Sequence, residues 1–202
     1  DGKWLAYSSN RSRPGNESAY EIYVMRPNGT GLRRVTRDRW PDDQVAWSPD
    51  GRQFVFVSSR ASGRSGISVM NVNGSGYRRL TRDSGYLPAW SPDGRTIAFE
   101  RFTRITDEFA TDAIWLMNPD GSNPRRLTEP PQVLGYLGAR DSMPDWSPDG
   151  RLIAFTRMSY RGSTPADGRQ GRRGDIYVIR PDGTGLRQLT KQAGSHSFPS
   201  WS

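Results

Sequence analysis

Apolar residues in this chain come in short runs, each closed by a polar, glycine-bearing turn. Trp4-Leu5-Ala6-Tyr7, Phe54-Val55-Phe56-Val57, Ile97-Ala98-Phe99 and Ile153-Ala154-Phe155 form one set. Ile22 to Met25, Ile67 to Met70, Ile114 to Met117 and Ile176 to Ile179 form a second. Each first-set run follows a segment ending in tryptophan: Val45-Ala46-Trp47, Pro88-Ala89-Trp90, Pro144-Asp145-Trp146 and, joining the two chain ends, Pro199-Ser200-Trp201. A last segment closes each unit: Leu32 to Thr36, Tyr77 to Thr81, Arg125 to Thr128 and Leu186 to Thr190. Runs this short, bounded by glycine turns and without helical periodicity, predict strands throughout.

The turns are of two kinds. Ser-Pro-Asp-Gly follows the tryptophan, with proline presetting φ and glycine free to take φ > 0. Asn28-Gly29, Asn73-Gly74, Asp120-Gly121 and Asp182-Gly183 make the second. Trp-Ser-Pro-Asp-Gly-Arg is written at Trp47 to Arg52, Trp90 to Arg95 and Trp146 to Arg151. A fourth copy is split between Trp201-Ser202 and Asp1-Gly2-Lys3. Trp47 and Trp90 stand one propeller-blade length apart, about 40–45 residues, and the longer later spacings lie in inserts.

These features predict an all-β β-propeller built of four-stranded antiparallel blades. The second and third strands are continuous apolar runs because blades stack face to face. One domain over 1–202 holds four repeats, at approximately 1–44 with 199–202, 45–87, 88–143 and 144–198. The closing contact is expected between the C-terminal segment 199–202 and the N-terminal strand at Trp4 to Tyr7. Three closures satisfy it: a four-bladed ring, an eight-bladed dimer that exchanges one strand, or part of a larger ring. The outermost strands carry Arg33-Arg34, Arg78-Arg79, Arg125-Arg126 and Arg187. Their recurrence in every unit favours charge that discourages edge-to-edge pairing over a phosphate site.

Composition narrows the class. Apolar residues are 33% of the chain, but aromatics are 11%, and large rings bury much area per residue. Gly 22 and Pro 15 suit tight turns. The net charge of +8 is spread through every repeat, so no nucleic-acid partner is expected. No cysteine is present, so disulfides and thiolate metal sites are excluded. No apolar run spans a bilayer and no signal-peptide pattern opens the sequence.

The phrase P-x-W-S-P-D-G-R-x-I-A-F, followed by I-Y-V-M-x-P-D-G-x-x-x-R-x-L-T, resembles the repeat of TolB-type β-propellers. Related repeats occur in prolyl-oligopeptidase-like and tricorn-like proteases. The resemblance covers the chain outside its inserts. It implies a propeller scaffold and a periplasmic or extracellular setting, because TolB is a periplasmic six-bladed propeller that binds a peptidoglycan-associated lipoprotein. The sequence departs from TolB in carrying four repeats and no N-terminal α/β domain.

In a meander blade the two glycine turns share one face of the ring, and the inserts and connectors share the other. The variable face is the expected binding face. Trp40, Tyr86, Tyr136 and Phe198 stand just ahead of the inner strands, where they either ring a pocket mouth or pack between blades. Arg104 and the glycine- and arginine-rich insert with Arg161, Arg169, Arg172 and Arg173 are candidates for an acidic partner. Asp107, Glu108 and Asp112 lack calcium-loop spacing, and no metal or cofactor is expected. The single histidine, His196, and the lack of G-x-S-x-G leave no catalytic residue to nominate. The expected function is a non-enzymatic propeller binding a protein or peptide, with homo-oligomerisation by ring completion a further option. The alternatives are the gating propeller of a larger prolyl-oligopeptidase-like hydrolase, or a propeller carbohydrate-binding or lyase protein.

Overall fold

The computed structural model describes every residue except 1, 14, 17–18, 61–63, 83, 105–109, 132–138, 161–171, 192–193 and 202. It is all-β. Blade 1 holds β1 (Leu5–Ser9), β2 (Glu21–Met25) and β3 (Arg33–Arg34). Blade 2 holds β4 (Asp42–Trp47), β5 (Gln53–Ser58), β6 (Gly66–Asn71) and β7 (Arg78–Arg79). Blade 3 holds β8 (Tyr86–Trp90), β9 (Ile97–Arg104), β10 (Ala110–Met117) and β11 (Arg125–Arg126). Blade 4 holds β12 (Arg140–Trp146), β13 (Ile153–Tyr160), β14 (Arg172–Ile179) and β15 (Arg187–Gln188). Each sheet runs in sequence order with antiparallel neighbours.

The core lies between blades. Ile22 and Val24 of blade 1 pack with Phe54, Phe56 and Met70 of blade 2. Val55, Val57, Ile67 and Val69 pack with Ile97, Phe99 and Met117. Ala98, Ile114, Leu116 and Leu127 pack with Trp146, Ile153, Phe155 and Ile179. Phe54, Phe56, Phe99 and Phe155 are fully buried, each worth about 1.5–3 kcal/mol of apolar transfer. No blade covers both of its faces by itself, so the fold is stable only as a stack.

The polar motif residues lock the blades. Ser48 Oγ donates to Asp50 Oδ1 at 2.6 Å while accepting from the Gln53 amide, and Ser91 and Ser147 repeat the device. Its cost falls on acid: the hydroxyl and amide donors hold the Asp50, Asp93 and Asp149 carboxyls below the usual range. Thr36, Thr81, Thr128 and Thr190 each accept, on Oγ1, the first amide of an Ile-led strand segment.

The paired arginines have bonding roles that their sequence pattern did not reveal. The second of each pair, Arg34, Arg79 or Arg126, donates Nε to the carbonyl of that threonine; Gln188 does so in blade 4 through its side-chain amide. The first reaches the next blade. Arg33 donates to Val72 O, Arg78 to Pro119 O and Asp120 O, and Arg125 to Pro181 O. These arginines therefore staple blade to blade.

Among the described residues, no pairing of 199–201 with β1 is formed within the chain. β1 is the edge of a three-stranded sheet, and residues 194–201 include no strand. Among the described residues, no strand of blade 1 contacts a strand of blade 4. The C-terminal segment instead follows blade 4. The His196 amide donates to Gly174 O at 2.7 Å, Phe198 to Thr156 Oγ1 at 3.3 Å and Trp201 to Asp145 Oδ2 at 2.9 Å. It occupies the place at which an inner strand of a next blade would begin.

Candidate functional site on the insert-bearing face

Inserts and connectors meet on one face. Arg13 of the first insert donates to the Asp38 and Arg39 carbonyls of the first connector. Ser59 N reaches Pro41 O, Ser84 Oγ reaches Phe102 O, and Thr111 Oγ1 reaches Ala139 O. Two inserts are shorter than their sequence suggested, because β9–β10 and β13–β14 continue past the blade as hairpin arms. The polar stretches at Glu100 to Arg104 and Arg172 to Asp175 hid these strands.

Every inner segment bends at one position on this face. Gln44, Leu87, Met143 and Phe198, three residues before each tryptophan, all have positive φ, from 49° to 59°. In the first three the β-ladder shifts register at the same place. Left-handed backbone at a bulky residue costs on the order of 1–3 kcal/mol and persists only where surroundings hold it. Here Gln44 Oε1 accepts the Leu87 amide at 2.7 Å, tying one bend to the next.

Beneath the bends lie buried carboxylates. Asp42 and Asp141, five residues before their tryptophans, are fully buried. Arg157 grips Asp141 through Nε at 2.6 Å and a terminal nitrogen at 2.7 Å, and lies over the Tyr177 ring at 4.9 Å. Arg60 bonds Asp42 at 2.8 Å, also pairs with Asp38, and lies over Tyr77. Burial pushes the Asp42 carboxyl up to about 6 against the opposing pull of Ser58 and Arg60, and raises Asp141 as well. In blade 3 Gly85 replaces the acid, since a Cβ there would stand 2.7 Å from Ile67 Cγ1. The carboxylates there come from Glu100 and Asp112. Burial and then the Asp112 charge push Glu100 up to about 7, and burial raises Asp112, which Arg140 of blade 4 approaches at 3.5 Å. Glu21 in blade 1 is held by Arg34 at 2.6 Å and Thr36 at 2.7 Å.

Of the residues singled out in the sequence, Trp40 is half-buried in the first connector, with its amide on Asp38 Oδ1 and Arg39 over its ring at 4.9 Å. Tyr86 packs into the core between blades 2 and 3. Phe198 is 72% exposed, the most exposed large apolar residue among those described. Arg173 bonds Asp175 Oδ1 at 3.2 Å. Arg104 ends β9, where its backbone pairs with Ala110, and Arg172 begins β14 opposite Tyr160. Tyr136, Arg161, Arg169, Asp107 and Glu108 lie outside the described residues. His196 leaves Nε2 without a hydrogen-bond partner among the described residues. No group of three or more His, Cys, Asp or Glu suited to a metal ion occurs among the described residues. Among those residues, too, no helix is long and apolar enough to cross a membrane. Asp42, Asp141 and the left-handed bends escaped sequence reasoning, although the two acids lie five residues, and the bends three residues, before a repeat tryptophan.

The opposite face repeats one set of turn residues. Clefts of about 430, 200 and 450 Å³ open at successive blade junctions. Each is lined by Ser-Pro-Asp turn residues and a repeat tryptophan. The lining chemistry repeats there, although the middle cleft has about half the volume of the other two.

Comparison with known proteins agrees with this architecture. Residues 1–202 match the TolB beta propeller domain. A protein TolB homolog of Chlorobium luteolum is 35% identical over 161 residues, 79% of this chain and 34% of its own length. The uncharacterized peptidase YuxL of Bacillus subtilis is 31% identical over 142 residues, 57% of this chain and 20% of its own. The structure of a putative TolB from Agrobacterium tumefaciens superposes with TM-score 0.70 at 25% identity, covering 93% of this chain and 60% of that one. This chain spans about half, or less, of the length of the curated relatives it matches. Repeat, blade topology and family match coincide over the whole chain: it belongs to the TolB β-propeller family.

Proposed function

We propose that this chain is a non-enzymatic propeller scaffold that binds a protein or peptide partner through its insert-bearing face, in a bacterial cell envelope. One observation carries the reading: length and chemical diversity are confined to that face, while the turn face repeats itself at every junction. A rigid stack presenting variable loops is the arrangement by which scaffolds recognise partners. Trp40 and Phe198 offer ring surface, and arginines of the β13–β14 insert offer charge-assisted bonds to carboxylates. The TolB relatives support the binding role and the envelope setting.

The test compares capture from a bacterial envelope extract by the intact chain and by variants. One variant replaces 105–109 and 161–171 with Asn-Gly turns; a second alters the turn face through Arg52→Ala and Arg95→Ala. A partner retained by the second and lost by the first supports the proposal. Equal capture by the trimmed variant overturns it. A second reading, a gating propeller of a larger hydrolase, is favoured by the peptidase relative. An α/β-hydrolase encoded downstream in the same reading frame would decide for it.

A further inference from the structure

The four blades share one ladder register but differ where they reach the insert-bearing face. Opposite Ile22, Ile67, Ile114 and Ile176 stand Ser8, Val57, Glu100 and Thr156. Two residues before those isoleucines stand Tyr20, Ser65, Asp112 and Gly174. Blade 3 alone puts two carboxylates there. Residues two apart on a strand share a face, so Glu100 lies on the face of Ala98, and Asp112 on that of Ile114 and Leu116. Ala98, Ile114 and Leu116 pack with Trp146, Ile153 and Phe155 of blade 4, so both acids face blade 4.

Blade 4 meets them with one free-ranging cation. Arg157 and Arg126 act on Asp141, the former through two short bonds. Arg140 approaches the Glu100 and Asp112 pair, standing 3.5 Å from Asp112. From β8, Tyr86 is the ladder partner of Glu100. Burial and the Asp112 charge raise Glu100 to about 7, and burial raises Asp112, so the pair retains a proton in mild acid. The chain enters β12 at the same place. Thr111 Oγ1 donates to Ala139 O at 2.7 Å, and the Ala139 amide to Pro131 O at 3.3 Å.

We propose that Glu100, Asp112 and Arg140 form a proton-operated latch between blades 3 and 4. With a proton on the pair, one negative charge faces one arginine, and the connector entering β12 stays shut against β10. Without it, two carboxylates compete for one arginine, and the connector is released. A carboxyl raised by closing favours the closed form in acid. Closure is therefore strongest below the unfolded value near 4.5 and weakens as pH rises through 7. The latch works in the free chain, so it stands or falls apart from the binding role proposed above.

The chain has no cysteine, so one introduced thiol reports opening. Ala139→Cys reads the latch, its position being 2% exposed, and Val69→Cys, in the core between blades 2 and 3, reads global unfolding. Each alkylation rate is divided by that of the same variant unfolded in urea at the same pH, which removes the ionisation of the thiol itself. The Ala139→Cys ratio should rise about ten- to a hundredfold between pH 5 and pH 8. At pH 8 it should exceed the Val69→Cys ratio, and adding Glu100→Gln should remove most of the rise. A flat profile, a rise undiminished by Glu100→Gln, or labelling no faster than at Val69→Cys overturns the latch. Carbon-13 NMR of the carboxyls in the cysteine-free chain needs no buried substitution. Glu100, assigned by its loss in Glu100→Gln, should titrate near neutrality, and Arg140→Gln should move its midpoint higher. A midpoint in the ordinary carboxylate range, or one that Arg140→Gln leaves in place, overturns the proposal equally.

Discussion

Replacing Arg157 with leucine strips Asp141 of its two arginine bonds, at 2.6 and 2.7 Å, and leaves the Thr128 hydroxyl as its remaining side-chain donor. Asp141 is 0% exposed and the Arg157 side chain 9%, so solvent has no access to replace them. Leucine keeps part of the packing over Phe155 and Tyr177, leaving the orphaned charge as the main loss. Breaking a buried pair from one side costs about 3–5 kcal/mol. For a chain of this size that lowers Tm by about 6–20 °C. The double variant Asp141→Leu/Arg157→Leu leaves no buried charge unpaired, only the Thr128 hydroxyl without this acceptor, and should lie within about 1–2 kcal/mol of the parent.

Acid gives an independent check. Burial raises the folded carboxyl above its unfolded value, so its stabilising contribution is present at low pH and lost as pH rises through the folded value. Without Arg157 the raise is larger, and the single variant should recover stability toward acid relative to the parent. Urea unfolding followed by tryptophan fluorescence reads both effects. A double variant as unstable as the single one would refute the reasoning, because the loss would then come from packing.

Arg78→Ala removes bonds to Pro119 O and Asp120 O and should cost about 0.5–1.5 kcal/mol, while Arg187→Ala should leave the monomer unchanged in the same urea assay. Glu100 is raised to about 7, so its contribution is fully present below its unfolded value near 4.5 and lost as pH rises through 7. The urea midpoint of Glu100→Gln should therefore gain on that of the parent between pH 5 and pH 8, at matched salt, and parallel curves would contradict the assignment. Gly85→Ala forces a Cβ to 2.7 Å from Ile67 Cγ1 and 3.2 Å from Cδ1, and should cost about 1–3 kcal/mol by calorimetry.

The blade was readable because its determinants are local. Phe54 to Val57 declares a strand buried on both faces, and Ser48-Pro49-Asp50-Gly51 declares its own turn, with Gly51 at φ 69°. What escaped reading depends on neighbours distant in sequence. Arg78 looked like edge charge because its acceptor, Pro119 O, is 41 residues away. Asp141 drew no notice as a connector acid because Arg157 sits on another strand. The outer strands are only two residues long, shorter than their apolar pattern, because each threonine Oγ1 takes an amide that a longer ladder would have paired. Tyr86 packs between blades 2 and 3, one of the two placements that its sequence position left open.

The measurement that bears most directly on the account is amide hydrogen exchange of the chain with and without a captured partner. The account predicts slowed exchange in the connectors and inserts, around Trp40 and Phe198 and along 161–174. It predicts no change at Ser48 to Arg52, Ser91 to Arg95 and Ser147 to Arg151. Protection centred on those Ser-Pro-Asp-Gly turns would place recognition on the uniform face and contradict it.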